Sequence, residues 1–176
     1  ANAHRPHVSK TMKFILMRID NVGLRGATAT VLILAALLIS YRFKSWRPLN
    51  LSVLAVLALN LVVGLSKLLI GRTKPKLNID LVYAGGLSYP SGHAANALLT
   101  WGLLAYLIFR YTHKEPFVGM RLDWPVALIT LSVCIVSLIR DTHWFSDLLG
   151  GVLLGGSLLV FVIAVDRAVP SIKQPS

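Results

Sequence analysis

Long apolar stretches alternate with short polar segments along this chain. Five stretches carry almost no charge, and none shows the strict alternation of a β-strand over a useful length. They cover residues 27–41, 49–70, 93–110, 125–139 and 148–165. Because a span needs about 20 residues to cross ~30 Å of hydrocarbon, the pattern predicts an all-α, polytopic membrane helical bundle with five visible transmembrane spans. The first and fourth stretches are short for a span. We expect one domain over residues 1–176.

The first 25 residues mix cations with apolar side chains. This mixture predicts an amphipathic helix that lies on the membrane surface and leads into the first span, with a loosely ordered tail as the alternative. The residues concerned are Lys10, Lys13, Phe14, Ile15, Leu16, Arg18, Ile19 and Arg25.

The net charge of +11 comes from basic residues in short clusters between the apolar stretches. Such clusters orient spans or meet anionic head groups, and no nucleic-acid recognition motif accompanies them, so we expect no nucleic-acid partner. With five spans, the connections 41–48 and 111–124 share one side with the C-terminal tail. We assign that side to the cytoplasm because of its cations, although the N-terminal segment opposite is basic too. These cations are Arg42, Lys44, Arg47, Arg110, Lys114, Arg121, Arg167 and Lys173.

The connections 71–92 and 140–147 then share the extracytoplasmic side, and the first leads into Pro90-Ser91-Gly92-His93. Serine is a good N-cap, the N–H groups of a helix start bind anions, and glycine lets an anion come close. His93 would stand on the first turn, placed to donate a proton to a leaving oxygen. The alternative is an ordinary helix cap with a surface histidine.

The second connection holds His143 and Asp147, which are four residues apart and so lie on one face of a helix. A carboxylate bonded to one ring nitrogen fixes the tautomer and leaves the other nitrogen free to attack. The pair predicts a histidine nucleophile, with a satisfied polar pair at a helix start as the alternative.

Four cations accompany these histidines on the same side of the membrane. Lysine and arginine neutralise the non-bridging oxygens of a phosphate, work that many phosphatases give to a metal. One such cation is easily explained as a side chain that reaches for the interface, but four beside two histidines are not. They are Lys67, Arg72, Lys74 and Arg140.

Three motifs therefore occur in order: Lys67 with Lys74-Pro75, then Pro90-Ser91-Gly92-His93, then His143 with Asp147. Their order and their places at span boundaries resemble the type 2 phosphatidic acid phosphatase superfamily. The motifs occupy residues 67–147, and the span pattern extends the likeness to most of the chain. The resemblance implies a multi-pass cell-membrane phosphatase that needs no metal or other cofactor.

The resemblance also implies a role for each motif residue. His93 would protonate the leaving group, and His143, oriented by Asp147, would form a phosphohistidine that water then hydrolyses. Phosphate binding falls to the remaining motif positions, which are Lys67, Lys74, Ser91 and the amide of Gly92.

Two positions depart from the family pattern. The family has arginine where Lys74 stands, so the charge is kept and the bidentate fork is lost. It also has arginine six residues before the third-motif histidine, where this chain has Ser137. Two arginines are candidates to replace it. Arg140 lies on roughly the same helical face as Ser137, and Arg72 is the second candidate. The family plan has six spans, so we expect the missing one to precede Ala1.

We therefore expect a lipid phosphatase whose partners are a lipid phosphate substrate and the surrounding membrane lipids. Candidate substrates are polyprenyl diphosphates and glycerophospholipid phosphates, between which the sequence does not choose. Two alternatives stay open: a lipid phosphotransferase with the same site, and a non-catalytic lipid-binding relative with a degenerate third motif. Oligomeric state is also open, since the small residues of 150–156 favour close helix packing either within the bundle, which we prefer, or in a dimer.

Overall fold

The computed structural model of this chain describes residues 9–75, 79–112 and 122–169. These residues form six α-helices and contain no β-strand, which confirms the predicted all-α class. The helices are α1 (Lys10–Asn21), α2 (Arg25–Arg42), α3 (Arg47–Ile70), α4 (Gly92–Thr112), α5 (Asp123–Ile139) and α6 (Phe145–Ala168).

Four of the six helices, α2, α3, α4 and α6, are long and apolar enough to cross a membrane. Helix α2 begins at Arg25 and has 18 residues. It therefore starts two residues before the predicted stretch 27–41 and reaches spanning length. Helix α5 has 17 residues, which at 1.5 Å per residue is about 25 Å, less than the ~30 Å of hydrocarbon. Five spans were predicted; four helices reach spanning length, and α5 is a shorter apolar helix.

The N-terminal segment forms α1, which Ser9 caps by accepting a hydrogen bond from the amide of Met12 at 3.1 Å. The ring of Phe14 is exposed on this helix, and the location of α1 at a membrane surface remains a prediction. The turn from α1 into α2 lies against α4, where the indole of Trp101 donates to the carbonyl oxygen of Val22 at 3.1 Å. Residues 1–8 lie outside the described residues, as do the predicted cytoplasmic cations Lys114, Arg121 and Lys173.

Helix α4 is the central helix of the bundle, because it packs against α2, α3, α5 and α6. Helix α6 comes especially close to it. A Cβ on Gly151 would lie 2.5 Å from the carbonyl oxygen of Ser91, and one on Gly155 would lie closer still to that of Ala95. These two glycines therefore serve packing within the bundle, as predicted. The buried face of α4 is made of Ala94, Ala95, Ala97, Leu99, Leu103 and Leu107.

The two connections with unusual polar residues meet at one end of the bundle. Helix α3 ends at Gly71, whose φ of 55° lies in the left-handed region that glycine adopts without strain. The chain then folds back toward α4, and the amide of Ser91 donates to the carbonyl oxygen of Asp147 at 2.8 Å. The start of α4 is thereby fixed to the start of α6.

Candidate active site

His143 and Asp147 lie on either side of the start of α6. Asp147 is in the first turn, where its Oδ2 accepts a hydrogen bond from the amide of Trp144 at 3.0 Å. Nδ1 of His143 lies 3.5 Å from Oδ2 of Asp147, and it is buried without a hydrogen bond from the described residues. The distance is slightly longer than a hydrogen bond and allows one to form when substrate binds. Nδ1 therefore faces the carboxylate, and the other ring nitrogen is the one left for chemistry.

The carboxylate of Asp147 is fully buried and held by two further donors. Nη1 of Arg72 donates to its Oδ1 at 2.8 Å, and the hydroxyl of Ser88 donates to its Oδ2. A buried carboxylate is tolerated in its charged form only when it is paired and hydrogen-bonded, and both conditions are met here. The sequence did not identify Ser88, because no motif spacing connects it with α6.

Arg72 joins two carboxylates. Its Nε and Nη2 donate to the two oxygens of Asp80, each at 2.7 Å, while Nη1 also donates to Oγ of Ser146 at 2.6 Å. The hydrogen bonds to Arg72 hold the pKa of the exposed Asp80 carboxyl below its usual value, and the same contacts raise the pKa of Arg72. Arg72 was a candidate to bind phosphate in place of the missing arginine. The structure instead engages its guanidinium with Asp147 and Asp80.

Arg140, the other candidate for that place, also has a carboxylate partner. Its Nη1 makes a close ion pair with Asp20 at the end of α1. The charges of both residues act on His93, the predicted proton donor. Arg140 is three residues before His143, and its positive charge is balanced by the carboxylate of Asp20 on α1.

Ser91, Gly92 and His93 form the start of α4. Oγ of Ser91 accepts a hydrogen bond from the amide of Ala94 at 3.4 Å, so this serine caps the helix as predicted. Its side chain is buried, and the predicted contact of Ser91 with phosphate remains a prediction. His93 follows in the first turn of α4, which the hydrogen bond from the amide of Ser91 to Asp147 fixes to the start of α6 beside His143. That the two imidazoles act on one phosphate remains a prediction.

Lys67 and Lys74 come from the end of α3 and the connection after it. Nζ of Lys67 donates to the carbonyl oxygen of Leu87, and its charge interacts with those of Lys74 and Asp147. Lys74 is exposed. In the part of the chain that the structure describes, neither lysine forms an ion pair with a carboxylate, so both charges are available to an anion.

Arg25 is a further cation of this site that sequence reasoning did not assign to it. It stands at the start of α2, and its guanidinium lies against Gly92. Its charge acts on both Lys67 and His93. The sequence held no signal for this role, because a cation at the start of an apolar stretch is ordinarily explained by its reach toward the interface.

The chain was compared with known proteins. The family model described as the PAP2 superfamily matches residues 48–169. Phosphatidylglycerophosphatase B of Bacillus subtilis (strain 168) is 27% identical over 124 residues, which cover 65% of this chain and 59% of that protein. This chain thus spans about three fifths of the length of that curated relative.

A solved structure has the same fold. It is described as the crystal structure of the first transmembrane PAP2 type phosphatidylglycerolphosphate phosphatase from Bacillus subtilis. The two structures align with a TM-score of 0.78 at 21% sequence identity, over 94% of this chain and 81% of that one. Because the alignment covers 94% of this chain, it extends the fold assignment to helical residues that precede residue 48.

Proposed function

This chain belongs to the PAP2 superfamily, and we propose that it is a membrane lipid phosphatase that works through a phosphohistidine on His143. The observation that carries the proposal is the pair of His143 and Asp147, 3.5 Å apart, which a hydrogen bond from the amide of Ser91 joins to the helix start that bears His93. The nearby cations Lys67 and Lys74 lack a carboxylate partner among the described residues. One imidazole backed by a buried carboxylate can attack phosphorus, and the second can move the proton. The cations supply the positive charge that a phosphate dianion requires.

The proposed reaction has two steps. In the first, Nε2 of His143 attacks phosphorus while the bond from phosphorus to the lipid oxygen breaks, and His93 gives its proton to that oxygen. Asp147 keeps the Nδ1 proton in place and balances the charge that develops on the ring. In the second, His93 takes a proton from water, the hydroxide attacks phosphorus, and the P–N bond breaks to release inorganic phosphate. Lys67 and Lys74 neutralise the phosphate oxygens throughout.

The substrate we propose first is a glycerophospholipid phosphate, phosphatidylglycerophosphate in particular. The curated relative is named for that activity, and the helices around the site are apolar enough to keep a lipid in the membrane beside it. Polyprenyl diphosphate is the second candidate, because it presents the same terminal phosphate on an apolar tail. We place the site on the extracytoplasmic side, since the cations Arg42, Lys44 and Arg47 lie at the opposite end of the bundle.

The test is phosphate release in detergent with EDTA present, from phosphatidylglycerophosphate, phosphatidic acid and a polyprenyl diphosphate. The parent should release phosphate from at least one of them without added metal, and His143→Ala should abolish release. His93→Ala should cost much more with a lipid phosphate than with p-nitrophenyl phosphate, because nitrophenolate leaves without a proton.

Other results would contradict the proposal in identifiable ways. Equal release by the parent and by His143→Ala would exclude the phosphohistidine. Loss of release in EDTA that is restored by a divalent cation would exclude metal independence. Transfer of phosphate to an added lipid acceptor, without release to water, would make the protein a phosphotransferase that uses the same histidine.

A further inference from the structure

The arginine that the family carries six residues before the third-motif histidine is absent from this chain. Ser137 takes its place and is only 1% exposed, and its Oγ has no hydrogen bond partner among the described residues. Serine cannot reach a phosphate or neutralise it. The two arginines nearest in the motifs, Arg72 and Arg140, have their guanidinium groups on carboxylates. The positive charge of each is thus already balanced by a carboxylate, fully so for Arg72, whose Nε, Nη1 and Nη2 are all engaged.

Arg25 reaches the site from a different helix. Its Nη2 lies 3.1 Å, and its Cζ 3.8 Å, from the point that a Cβ on Gly92 would occupy. The guanidinium therefore rests against the backbone just before His93. Its Nη1 donates to Oδ1 of Asn60 on α3 at 3.3 Å, which orients the planar group without neutralising it.

A role at the water interface does not explain this arrangement. An arginine at the end of a span usually extends toward the water. Arg25 is instead directed to Asn60, which stands ten residues before the end of α3 at Ile70, or about 15 Å of helix. The guanidinium thus points along the spans and toward the bundle. An ionisable side chain held in this way within a membrane protein indicates a functional site.

The charges around Arg25 are repulsive in the absence of an anion. Arg25 acts on Lys67, and Lys67 is also repelled by Lys74. Within residues 9–75, 79–112 and 122–169, no carboxylate forms an ion pair with any of these three cations. The carboxylate of Asp147 also attracts Lys67, and a phosphate dianion bound among the three cations would relieve the repulsion that remains. Arg25 is also exposed, so no other residue of the described chain encloses its side chain.

We infer that Arg25 binds the substrate phosphate in this chain and takes the part of the arginine absent at Ser137. The inference rests on the proposed phosphatase function. The planar guanidinium donates to two phosphate oxygens at once, which restores the bidentate contact that lysine at 74 does not provide. Gly92 makes this possible, because a larger residue there would displace the guanidinium by its Cβ.

The experiment compares Arg25→Gln and Arg25→Lys with Arg42→Gln, a matched control at the other end of the same helix. Hydrolysis of p-nitrophenyl phosphate and phosphatidylglycerophosphate is measured in detergent with EDTA. Loss of one charged oxyanion donor costs about 10²- to 10³-fold, so Arg25→Gln should lower kcat/KM by that factor while Arg42→Gln leaves it unchanged. The kcat/KM of Arg25→Lys should lie between those of the two glutamine variants, because lysine keeps the charge but cannot make the bidentate contact.

Two further readouts separate phosphate binding from a structural role. The inhibition constant of orthovanadate should rise about tenfold or more in Arg25→Gln, because vanadate takes the place of the phosphate. Methylguanidine should restore part of the activity of Arg25→Ala, and the melting temperatures of the Arg25 and Arg42 variants should agree.

Several outcomes would overturn the inference. Activity of Arg25→Gln equal to that of Arg42→Gln would do so, as would a loss of activity with unchanged vanadate inhibition and no rescue by methylguanidine. If the parent itself releases no phosphate and does not bind vanadate, the proposed function fails first. Vanadate binding by an inactive parent that weakens in Arg25→Gln would keep Arg25 as an anion ligand while removing the phosphatase.

Discussion

His143 and Asp147 face each other across 3.5 Å, from Nδ1 to Oδ2, at the first turn of α6. The histidine does not place the carboxylate, because Asp147 is already fixed by Arg72, by Ser88 and by the amide of Trp144. The acid is thus part of a rigid support, and the imidazole is the member that can adjust. A fixed carboxylate with an adjustable imidazole suits a nucleophile that must approach phosphorus and then hold the phosphoryl group covalently.

Asp147→Asn should lower kcat by about 10⁴-fold, the scale seen when the aspartate of a Ser-His-Asp triad becomes asparagine. The asparagine keeps the shape but no longer stabilises the charged ring or fixes its tautomer. The matched control is Asp80→Asn, which changes the other carboxylate on Arg72 without touching His143. Equal effects of the two substitutions on kcat would show that Asp147 acts only through Arg72.

The pair of Arg72 and Asp80 should make the connection after α3 sensitive to acid. Arg72 holds the pKa of Asp80 below its ordinary value of about 3.9. For a carboxyl whose pKa is lowered by folding, the stabilisation is present above the unfolded pKa and is lost as the pH falls through the folded one. Between pH 5 and pH 2, the melting temperature of Asp80→Asn should therefore depend less on pH than that of the parent. Parallel curves would contradict this.

That these groups meet at one end of the bundle was predictable from the sequence, whereas their partners were not. His93 is in the first turn of α4 and His143 follows α5, so these two helices return the chain to the same end of the bundle. The partner of Arg140 is Asp20, which lies 120 positions away on a helix that carries no motif. Arg25 was recognised only as a basic residue of the N-terminal segment, because its approach to Gly92 depends on the packing of α2 against α4.

Gly155→Ala should destabilise the bundle, because the added Cβ would press on the carbonyl of Ala95 in the central helix. Overpacking of this kind costs about 1–3 kcal/mol in free energy of unfolding. Gly64→Ala is the control, since nothing lies within 4 Å of a Cβ at that position. Its melting temperature in detergent should equal or exceed that of the parent, because alanine favours helix. If Gly155→Ala left the melting temperature unchanged, α4 and α6 would be able to move apart without a loss of stability.

The opposite end of the bundle is held by a second buried carboxylate, Asp166, whose side chain is 1% exposed. It is bonded by Arg47, by Arg110 at 2.9 Å and by the hydroxyl of Tyr106, so it ties α3, α4 and α6 together. Asp166→Asn should lower the free energy of unfolding by about 3–5 kcal/mol, because two cations lose their counter-charge. Tyr106→Phe should cost less, since it removes only one neutral donor. Both variants should keep the parent's activity per folded molecule, and a selective loss of kcat would contradict a structural role.

The orientation of the bundle can be tested with single cysteines placed at its two ends. In a Cys134→Ala background, Val82→Cys marks the connection at the site end and Tyr41→Cys marks the end of α2; both positions are exposed, at 54% and 88%. If the site faces outward, a membrane-impermeant maleimide should label Val82→Cys in intact bacterial cells and label Tyr41→Cys only after permeabilisation. The physical reason is that cations near Tyr41 keep their end on the cytoplasmic side. The reverse labelling would place His143 and the lipid phosphate it attacks in the inner leaflet, and would make the substrate a lipid that reaches the enzyme from the cytoplasm.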